Sequence, residues 1–548
     1  MKALVINPEP GFCYYSFPQA RRMMGKRSLG IPLGLITAAA LLPRDWTCRL
    51  VDAANEPATE NDWDWAELVL LSGNFLHASH QRHLIQEAKR RKKTVVVGGP
   101  YATAVPEQAL EAGADMVAVG EAEGIVPELL DAIRGGERGR ILRSPHRPAM
   151  TLSPIPRFDL LDLRRYVYVQ IQTSRGCPHD CEFCDIVARY GHAPRYKTPA
   201  QILGELETLY RLGWRGHVFV SDDNFIGRKS DALAILQAIR EWQKERGEPF
   251  TFNTQATIDL GRDNELIDAL TRANFGDIFI GVESLDIEAL KEARKLQNVA
   301  TPAAEAVDHM IRNGLSVLLS FIVGFDGEKK GAGERISRFV DERAVPIAMV
   351  NTLWAIPNTR LWDRLAKEGR LLDQGLDSYD FIGGQMNFAP SRPAEEVWEE
   401  FVDVWDRLFE PSRFLDRAYR CYLKMRPTRR ALARAAGMAP AGATGNREEG
   451  DPAPRGLRMI GRLGESVRAF GWLAWRMGHR YGCWRQFWRQ LAGILLRNPS
   501  RVRQYLAACG HGPDLFAIRE ILLKQKMERE SFTSSSLENR RSAPFPPE

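Results

Sequence analysis

Two series of short apolar runs alternate with amphipathic stretches, and a proline-rich connection separates the series. Runs that are apolar at every position are buried on both faces, which a parallel sheet covered by helices provides. In the first series, strands are predicted at Ala3–Asn7, Cys48–Asp52, Leu68–Ser72, Thr94–Gly98 and Met116–Val119. Helical patterns at Leu33–Leu42, Ser79–Arg91 and Gly124–Arg134 lie between them. A doubly wound order of five such strands places a ligand at their carboxyl ends, where the topology switches. Those ends are rich in small residues, Ser72-Gly73, Gly98-Gly99-Pro100 and Gly120-Glu121, which let backbone approach a large flat ligand.

The connection, Pro145 to Leu163, leads to strands predicted at Val167–Thr173, His217–Ser221, Phe250–Thr257, Asp277–Val282, Val317–Val323 and Ala348–Leu353. Helices are expected between them, among others at Pro199–Arg211, Ser230–Lys244 and Ala303–Arg312. Six β/α units make a partial (β/α)6 barrel, with chemistry at the C-terminal ends of its strands. The rest is helical, and 548 residues are too many for one core. The expected division is a domain over 1–145, a linker over 146–164, the barrel over 165–372 and a helical extension over 373–436. A Gly/Ala/Pro-rich linker over 437–456, a basic amphipathic helical region over 457–530 and a disordered tail over 531–548 complete it.

Of eight cysteines only three are closely spaced, which fits a reducing cytosol and not a disulfide-stapled secreted chain. No leader and no run long enough to span a bilayer is visible, so a cytoplasmic protein is expected. The net charge of +6 is small for this length and does not by itself argue for nucleic acid.

The decisive stretch directly follows the first barrel strand: Ser174-Arg175-Gly176-Cys177-Pro178-His179-Asp180-Cys181-Glu182-Phe183-Cys184. Three thiolates in a tight loop can hold three irons of a 4Fe-4S cubane, while four are needed to close its coordination. One iron is left open. A zinc site completed by His179 or His192 is the alternative, although the second cysteine pair usual in such sites is missing.

The C-x3-C-x2-C spacing with an aromatic, Phe183, before the last cysteine resembles the radical S-adenosylmethionine (SAM) superfamily over Val167 to Leu365. The resemblance implies that the open iron chelates the amino and carboxylate groups of SAM and passes an electron into its sulfonium, giving a 5′-deoxyadenosyl radical. It also implies SAM contacts from Asp222, Asp223 and Asn224 after strand two, Glu283 and Ser284 after strand four, Arg294 as a fork for the SAM carboxylate, and Gly324 after strand five.

The N-terminal domain, with Gly98-Gly99 and Val119-Gly120-Glu121-Ala122-Glu123, is similar to the Rossmann-like cobalamin-binding domain that precedes the barrel in one radical SAM class. Ser72, Gly73, Asn74, Gly98, Gly99, Gly120 and Glu121 are its expected cofactor contacts, with the loop Asn74-Phe75-Leu76 near the lower corrin face. The D-x-H-x-x-G motif that supplies a cobalt-ligating histidine elsewhere is absent, and Asp52-Ala53-Ala54-Asn55 stands in its place. His77, His80 and His83 read as a solvated helix face.

Enzymes of this class use one SAM to methylate cob(I)alamin and a second to abstract hydrogen from an unactivated carbon, whose radical then takes the methyl group. The protein positions the cofactors and excludes water and oxygen, with an external donor of flavodoxin or ferredoxin type supplying electrons. For substrate, the chain resembles hopanoid C-2 methylases and related radical SAM C-methyltransferases. That likeness rests on Cys184-Asp185-Ile186, Asp222 to Gly227, Arg294-Lys295-Leu296-Gln297-Asn298, Phe321 to Asp326 and Met349 to Leu361, where Asn358 replaces the family's usual Gly. It implies a hydrophobic, hopanoid-like or isoprenoid-like small molecule. Two alternatives stand beside it: a non-methylating enzyme of tetrapyrrole or natural-product synthesis, and a cobalamin and iron-sulfur sensor without turnover.

Within 457–530, Trp472, Trp475, Trp484, Phe487, Trp488, Leu491 and Leu495 are interspersed with arginines at 458, 462, 468, 476, 480, 485, 489 and 497. Such a segment can lie in the headgroup layer of an anionic membrane, peripheral to its inner face, or cap the barrel with a solvated arginine face. No nucleic-acid module accompanies it, and nucleic acid is not an expected partner.

Overall fold

The computed structural model describes residues 1–13, 16–372, 382–437 and 467–541, with side chains to 531. The first series of apolar runs forms a six-stranded, wholly parallel sheet in the order β2-β1-β3-β4-β5-β6. The strands are β1 Lys2–Asn7, β2 Thr47–Asp52, β3 Leu68–Ser72, β4 Thr94–Gly98, β5 Met116–Val119 and β6 Arg140–Arg143. Successive side chains point to opposite faces, so Leu4, Ile6, Val69 and Leu71 meet Leu84 and Ile85 of the helix Ala78–Arg90. Ala3, Val5, Leu68 and Leu70 meet Leu35 of the helix Leu33–Ala40 and Ile125 and Leu129 of the helix Ala122–Arg134. The sixth strand escapes the pattern because its sequence, Arg-Ile-Leu-Arg, carries only two apolar residues, as an edge strand can.

The second series forms another parallel sheet, β7-β10-β11-β12-β13-β14, whose strands lie in chain order without closing. These are β7 Tyr168–Ile171, β10 His217–Val220, β11 Thr251–Ala256, β12 Phe275–Glu283, β13 Ser316–Val323 and β14 Ile347–Thr352. Between β7 and β10, β8 Ser174–Arg175 pairs antiparallel with β9 Arg195–Tyr196 and ties down the ends of the cysteine loop. The open edge, β14, is covered by the helix Ala394–Leu408, whose Trp405 is wholly buried and donates from Nε1 to the Val350 carbonyl at 3.0 Å.

The helices Pro411–Lys424 and Trp484–Arg497 and the long helix Val502–Arg541 pack together beyond it. That long helix corrects one expectation: residues 531–541, read as part of a disordered tail, continue it, since propagating an existing helix costs far less than starting one. The expected linker lies outside the described residues except for Gly437, as do 373–381, 457–466 and the tail beyond 541. No described helix is long and apolar enough to cross a membrane.

The loop that stands in place of the cobalt-ligating motif docks one domain on the other. Asp52, at the end of β2, accepts from Asn7 Nδ2 at 2.9 Å, from Asn55 Nδ2 at 3.0 Å and from Tyr166 Oη at 2.9 Å. Tyr166 lies just before β7 and is 2% exposed. A Tyr166→Phe variant removes one of the two donors, Tyr166 Oη and Asn55 Nδ2, that the buried Asp52 Oδ2 accepts from. The expected outcome is a loss of about 1–3 kcal/mol in the first chemical-denaturation transition, with near-native circular dichroism before it.

Candidate functional site

The carboxyl ends of the two sheets face each other across a cavity of about 440 Å³. Ser72, Gly73, Asn74, Gly98, Gly99, Gly120 and Glu121 all line it, so the structure brings together every small-residue position singled out in the first domain. Gly99 adopts φ 89°, and a Cβ there would collide with Ser72 and with the Gly73 backbone. The cavity continues as an apolar slot between the first sheet and two helices, lined by Leu35, Ala38, Leu70, Val96, Ala118 and Ile125. On the barrel side it meets Gln170, Gln172, Arg175, Tyr190, Lys197 and Ser221.

A nearly buried charge network closes one side. Arg175 donates to Glu121 Oε2 at 2.7 Å and, through both terminal nitrogens, to Glu123 at 2.9 and 3.0 Å. Arg195 donates to Glu121 Oε1 at 2.7 Å. Both glutamate side chains are 3% exposed. The strand-end loop of one domain is thereby fastened to the cysteine loop of the other. Glu121, expected to face a ligand, spends its carboxylate on the two arginines. Two further contacts cross the interface: Phe75 against Trp354 at 5.7 Å, and Asn358 Nδ2 donating to the Ala104 carbonyl at 2.9 Å. Asn358 has φ 67°, a conformation natural to the usual Gly and tolerated by Asn, whose amide here gains the cross-domain bond.

The cysteine loop is held at several points. Gly176, at φ 96°, has room for no Cβ, which would meet the Gly191 carbonyl oxygen at 2.9 Å. Asp222 is fully buried and accepts from the Thr173 N–H at 2.6 Å, from Ser174 Oγ at 2.7 Å and from Thr173 Oγ1. Glu182 accepts two bonds from Arg364, at 2.9 and 3.2 Å, and Phe183 packs edge-on against Phe325 at 5.6 Å. Asn224 and Gln297 direct amide N–H groups at sulfur, Asn224 Nδ2 lying 4.0 Å from Cys177 Sγ and Gln297 Nε2 3.5 Å from Cys181 Sγ. Burial pushes the Cys177 and Cys184 thiols up. Of the two histidines of the zinc alternative, His192 lies 3.7 Å from Asp180, and burial lowers the pKa of His179. Among the described residues no three His, Cys, Asp or Glu side chains form a single-ion site.

Along the barrel rim, Asp223 differs from its neighbour Asp222. Burial pushes its carboxyl up to about 6 against the pull of Arg189, and it accepts from the Gly176 N–H at 3.2 Å. Glu283 holds Lys295 at 2.5 Å in a buried pair, and the Lys295 ammonium lies 5.7 Å from the Phe183 ring centre. Arg294, the expected fork, points outward instead: it is half exposed and pairs with Asp180 at 2.6 Å. Ser284 donates to Glu328, which also accepts from the Gly324 N–H at 2.8 Å. Burial pushes the Glu328 carboxyl up to about 7, opposed by that N–H and by Arg392. His77 is partly buried: its Nδ1 meets Asn74 Oδ1 at 2.8 Å and burial lowers its pKa to about 4. His80 accepts from the Glu9 N–H at 2.8 Å, and His83 remains exposed beside it.

The Radical SAM superfamily profile matches residues 171–340, a B12 binding domain profile matches 27–130, and a domain of unknown function matches 359–528. An uncharacterized methyltransferase of Synechocystis sp. is 40% identical over 525 residues, covering 96% of this chain and 93% of that one. The hopanoid C-2 methylase of Rhodopseudomonas palustris is 34% identical over 392 residues, covering 70% and 72% respectively. This chain belongs to the cobalamin-binding radical SAM methyltransferases. Its fold agrees with that of TsrM, a radical SAM methyltransferase from Kitasatospora setae solved with cobalamin and a [4Fe-4S] cluster, at a TM-score of 0.53 and 17% identity over 67% of this chain and 78% of that one.

The cofactors of this radical SAM enzyme are a 4Fe-4S cluster, SAM and cobalamin. The residues present fit them. Cys177, Cys181 and Cys184 would hold three irons, with Gln297 and Asn224 as N–H donors to sulfur of the kind that tunes such clusters. The glycine-edged cavity and its apolar slot suit an extended ligand with a flat head. Asp223, rather than the fully engaged Asp222, has acceptor capacity for an ammonium group.

Arg175, Arg195, Lys295 and Glu328 were not singled out from the sequence as site residues. Arg175 lies inside the cysteine motif and Lys295 directly follows Arg294, yet only the fold shows where each charge finds its partner.

Two outcomes follow from this geometry. Asp222→Asn loses acceptors for the 172–175 turn, and a drop of about 1–3 kcal/mol in stability with reduced iron retention after reconstitution is expected; Asp223→Asn keeps both. Glu328 keeps its proton in the folded protein up to about pH 7, whereas the unfolded carboxyl titrates near 4.5. Stability therefore falls as pH rises between those values and levels off above them. Thermal unfolding of a Glu328→Gln variant should show a flatter profile between pH 5 and 7.

Proposed function

We propose that this enzyme methylates an unactivated carbon of a hydrophobic, hopanoid-like polycyclic substrate and consumes two SAM molecules per turnover. The observation that carries the reading is the shared cavity, which reaches from the glycine-edged strand ends of the first domain to Arg175 beside the cysteine loop. The bound cofactors supply a one-electron route to a substrate radical and a transferable methyl group.

The chain's own part is to position and to exclude. Every charged group lining the cavity already has a partner: Glu121 and Glu123 with Arg175, and Lys197 with Glu205 at 2.5 Å in a fully buried pair. No unpaired charge is left in the lining, so the surface that meets the cofactors is electrostatically settled before they bind. Phe75 and Trp354 place apolar rings where the domains meet. Abstraction from carbon calls for no general acid or base, and the pairing of the lining charges agrees with that. The substrate class draws its support from the hopanoid C-2 methylase relative. Electrons would come from an external flavodoxin-type or ferredoxin-type donor.

The test supplies anaerobically reconstituted, cobalamin-loaded enzyme with methyl-labelled SAM, a strong reductant and a hopanoid extract. Label in a product heavier by one methyl, with about two SAM consumed per product, is the expected result. 5′-Deoxyadenosine without label transfer would point to the non-methylating alternative, and neither product would point to a sensor. Alanine at all three motif cysteines should abolish iron binding while cobalamin binding persists.

A further inference from the structure

From Val467 to Pro513 the chain contains no Asp or Glu, while arginine stands at 468, 476, 480, 485, 489, 497, 501 and 503. The fold accounts for some of these. Arg480 pairs with Glu520 at 2.9 Å, Arg501 is buried against the Arg426 and Gly314 carbonyls, and Arg476 lies over the Trp472 ring. Arg468, Arg485, Arg489 and Arg497 have no carboxylate within ion-pair distance among the described residues.

The apolar residues divide in the same way. The helix Trp484–Arg497 turns Phe487, Leu491 and Ile494 inward onto the helix Pro411–Lys424. Packing as a cap explains those three. It does not explain the flank of the helix, where Trp484 is 49% and Leu495 52% exposed, or its outer side, where Leu496 is 84% exposed. Across the turn, Trp475 is 54% exposed. The rings of Trp475, His479, Trp484 and Trp488 follow one another at 5.9, 6.4 and 5.6 Å, one strip spanning two helical segments. Helical spacing puts Arg485 three residues from Trp488 and four from Arg489, with Leu496 two turns beyond Arg489 on the same face.

We propose that this strip docks the enzyme on an anionic phospholipid surface, with Trp475, Trp484 and the two leucines entering the headgroup layer and Arg485 and Arg489 pairing with lipid phosphates. Amphipathic aromatic rings flanked by guanidinium groups suit that boundary, where one side is apolar and the other holds negative charge. A second copy of the chain would bring arginine against arginine. A nucleic acid would engage the arginines and leave Leu495 and Leu496 in water. The inference deepens the reading of a hopanoid-like substrate and rests on it for its purpose, since such substrates partition into bilayers. Binding itself is measured without substrate, so either reading can fail while the other stands.

The test is flotation of full-length, cobalamin-loaded enzyme with vesicles of phosphatidylcholine alone or mixed with phosphatidylglycerol. Binding to the anionic vesicles at least about ten-fold tighter, and weakening as salt rises, is expected. Trp475→Ser with Trp484→Ser should lose most of the binding. Arg485→Glu with Arg489→Glu should lose the preference for anionic lipid. Both double variants should keep native circular dichroism and cobalamin content. Equal partition onto neutral vesicles, no binding, unchanged binding by both variants, or a dimer or RNA complex that the same substitutions abolish would overturn the proposal.

Discussion

The arrangement depends on two glutamates of one domain buried against two arginines of the other. Such pairs contribute little net stability, because four desolvated charges offset most of their attraction. What they enforce is geometry. Removing Arg175 leaves Glu123 without an ionic partner, and removing Glu121 does the same to Arg195, so the loop 119–123 and the loop 174–184 hold one relative placement. That placement turns two sheets, each with its carboxyl ends free, into walls of a single cavity. Phe75 against Trp354 and Asn358 on the Ala104 carbonyl repeat the constraint at the far side.

The cysteine loop is fixed independently from within the barrel. Asp222 gathers hydrogen bonds from the turn before it, Glu182 is clamped by Arg364, and Gly176 fits where no side chain could. Arg364 also reaches Asp326, which Arg370 grips in turn, so the loop is tied to the strand-five end and to the segment beyond the last barrel helix. A loop held this firmly carries its thiols preorganised, and a metal cluster then selects little further ordering.

The helical C-terminal region has two faces with different explanations. Its inner face covers the open edge at β14 and the ends of the barrel strands, with Trp405 and the fully buried Arg417 anchoring the contact. Its outer face keeps tryptophan, leucine and arginine in solvent, the arginines at 485, 489 and 497 without an ion pair among the described residues, a combination that barrel packing does not require.

The sequence by itself determined the two sheets and the cysteine motif. Runs such as Leu68–Ser72 and Thr94–Gly98 are apolar at successive positions because both sheet faces are buried, a demand local enough to be read residue by residue. Three thiols within eight residues likewise declare their chemistry without knowledge of the fold. β6 was hidden because an edge strand needs few apolar residues, and residues 531–541 because their helix is inherited from the turns before them. Only the tertiary structure decided which charged groups are spent and which remain available. Glu121 went to Arg175 and Arg195, Asp222 to its own turn, Arg294 to Asp180, and Lys295 inward to Glu283. The physical reason is that a charge takes its role from its partners and its burial, and those partners lie beyond the reach of local sequence, from twelve residues away for Lys295 and Glu283 to more than a hundred for Arg294 and Asp180.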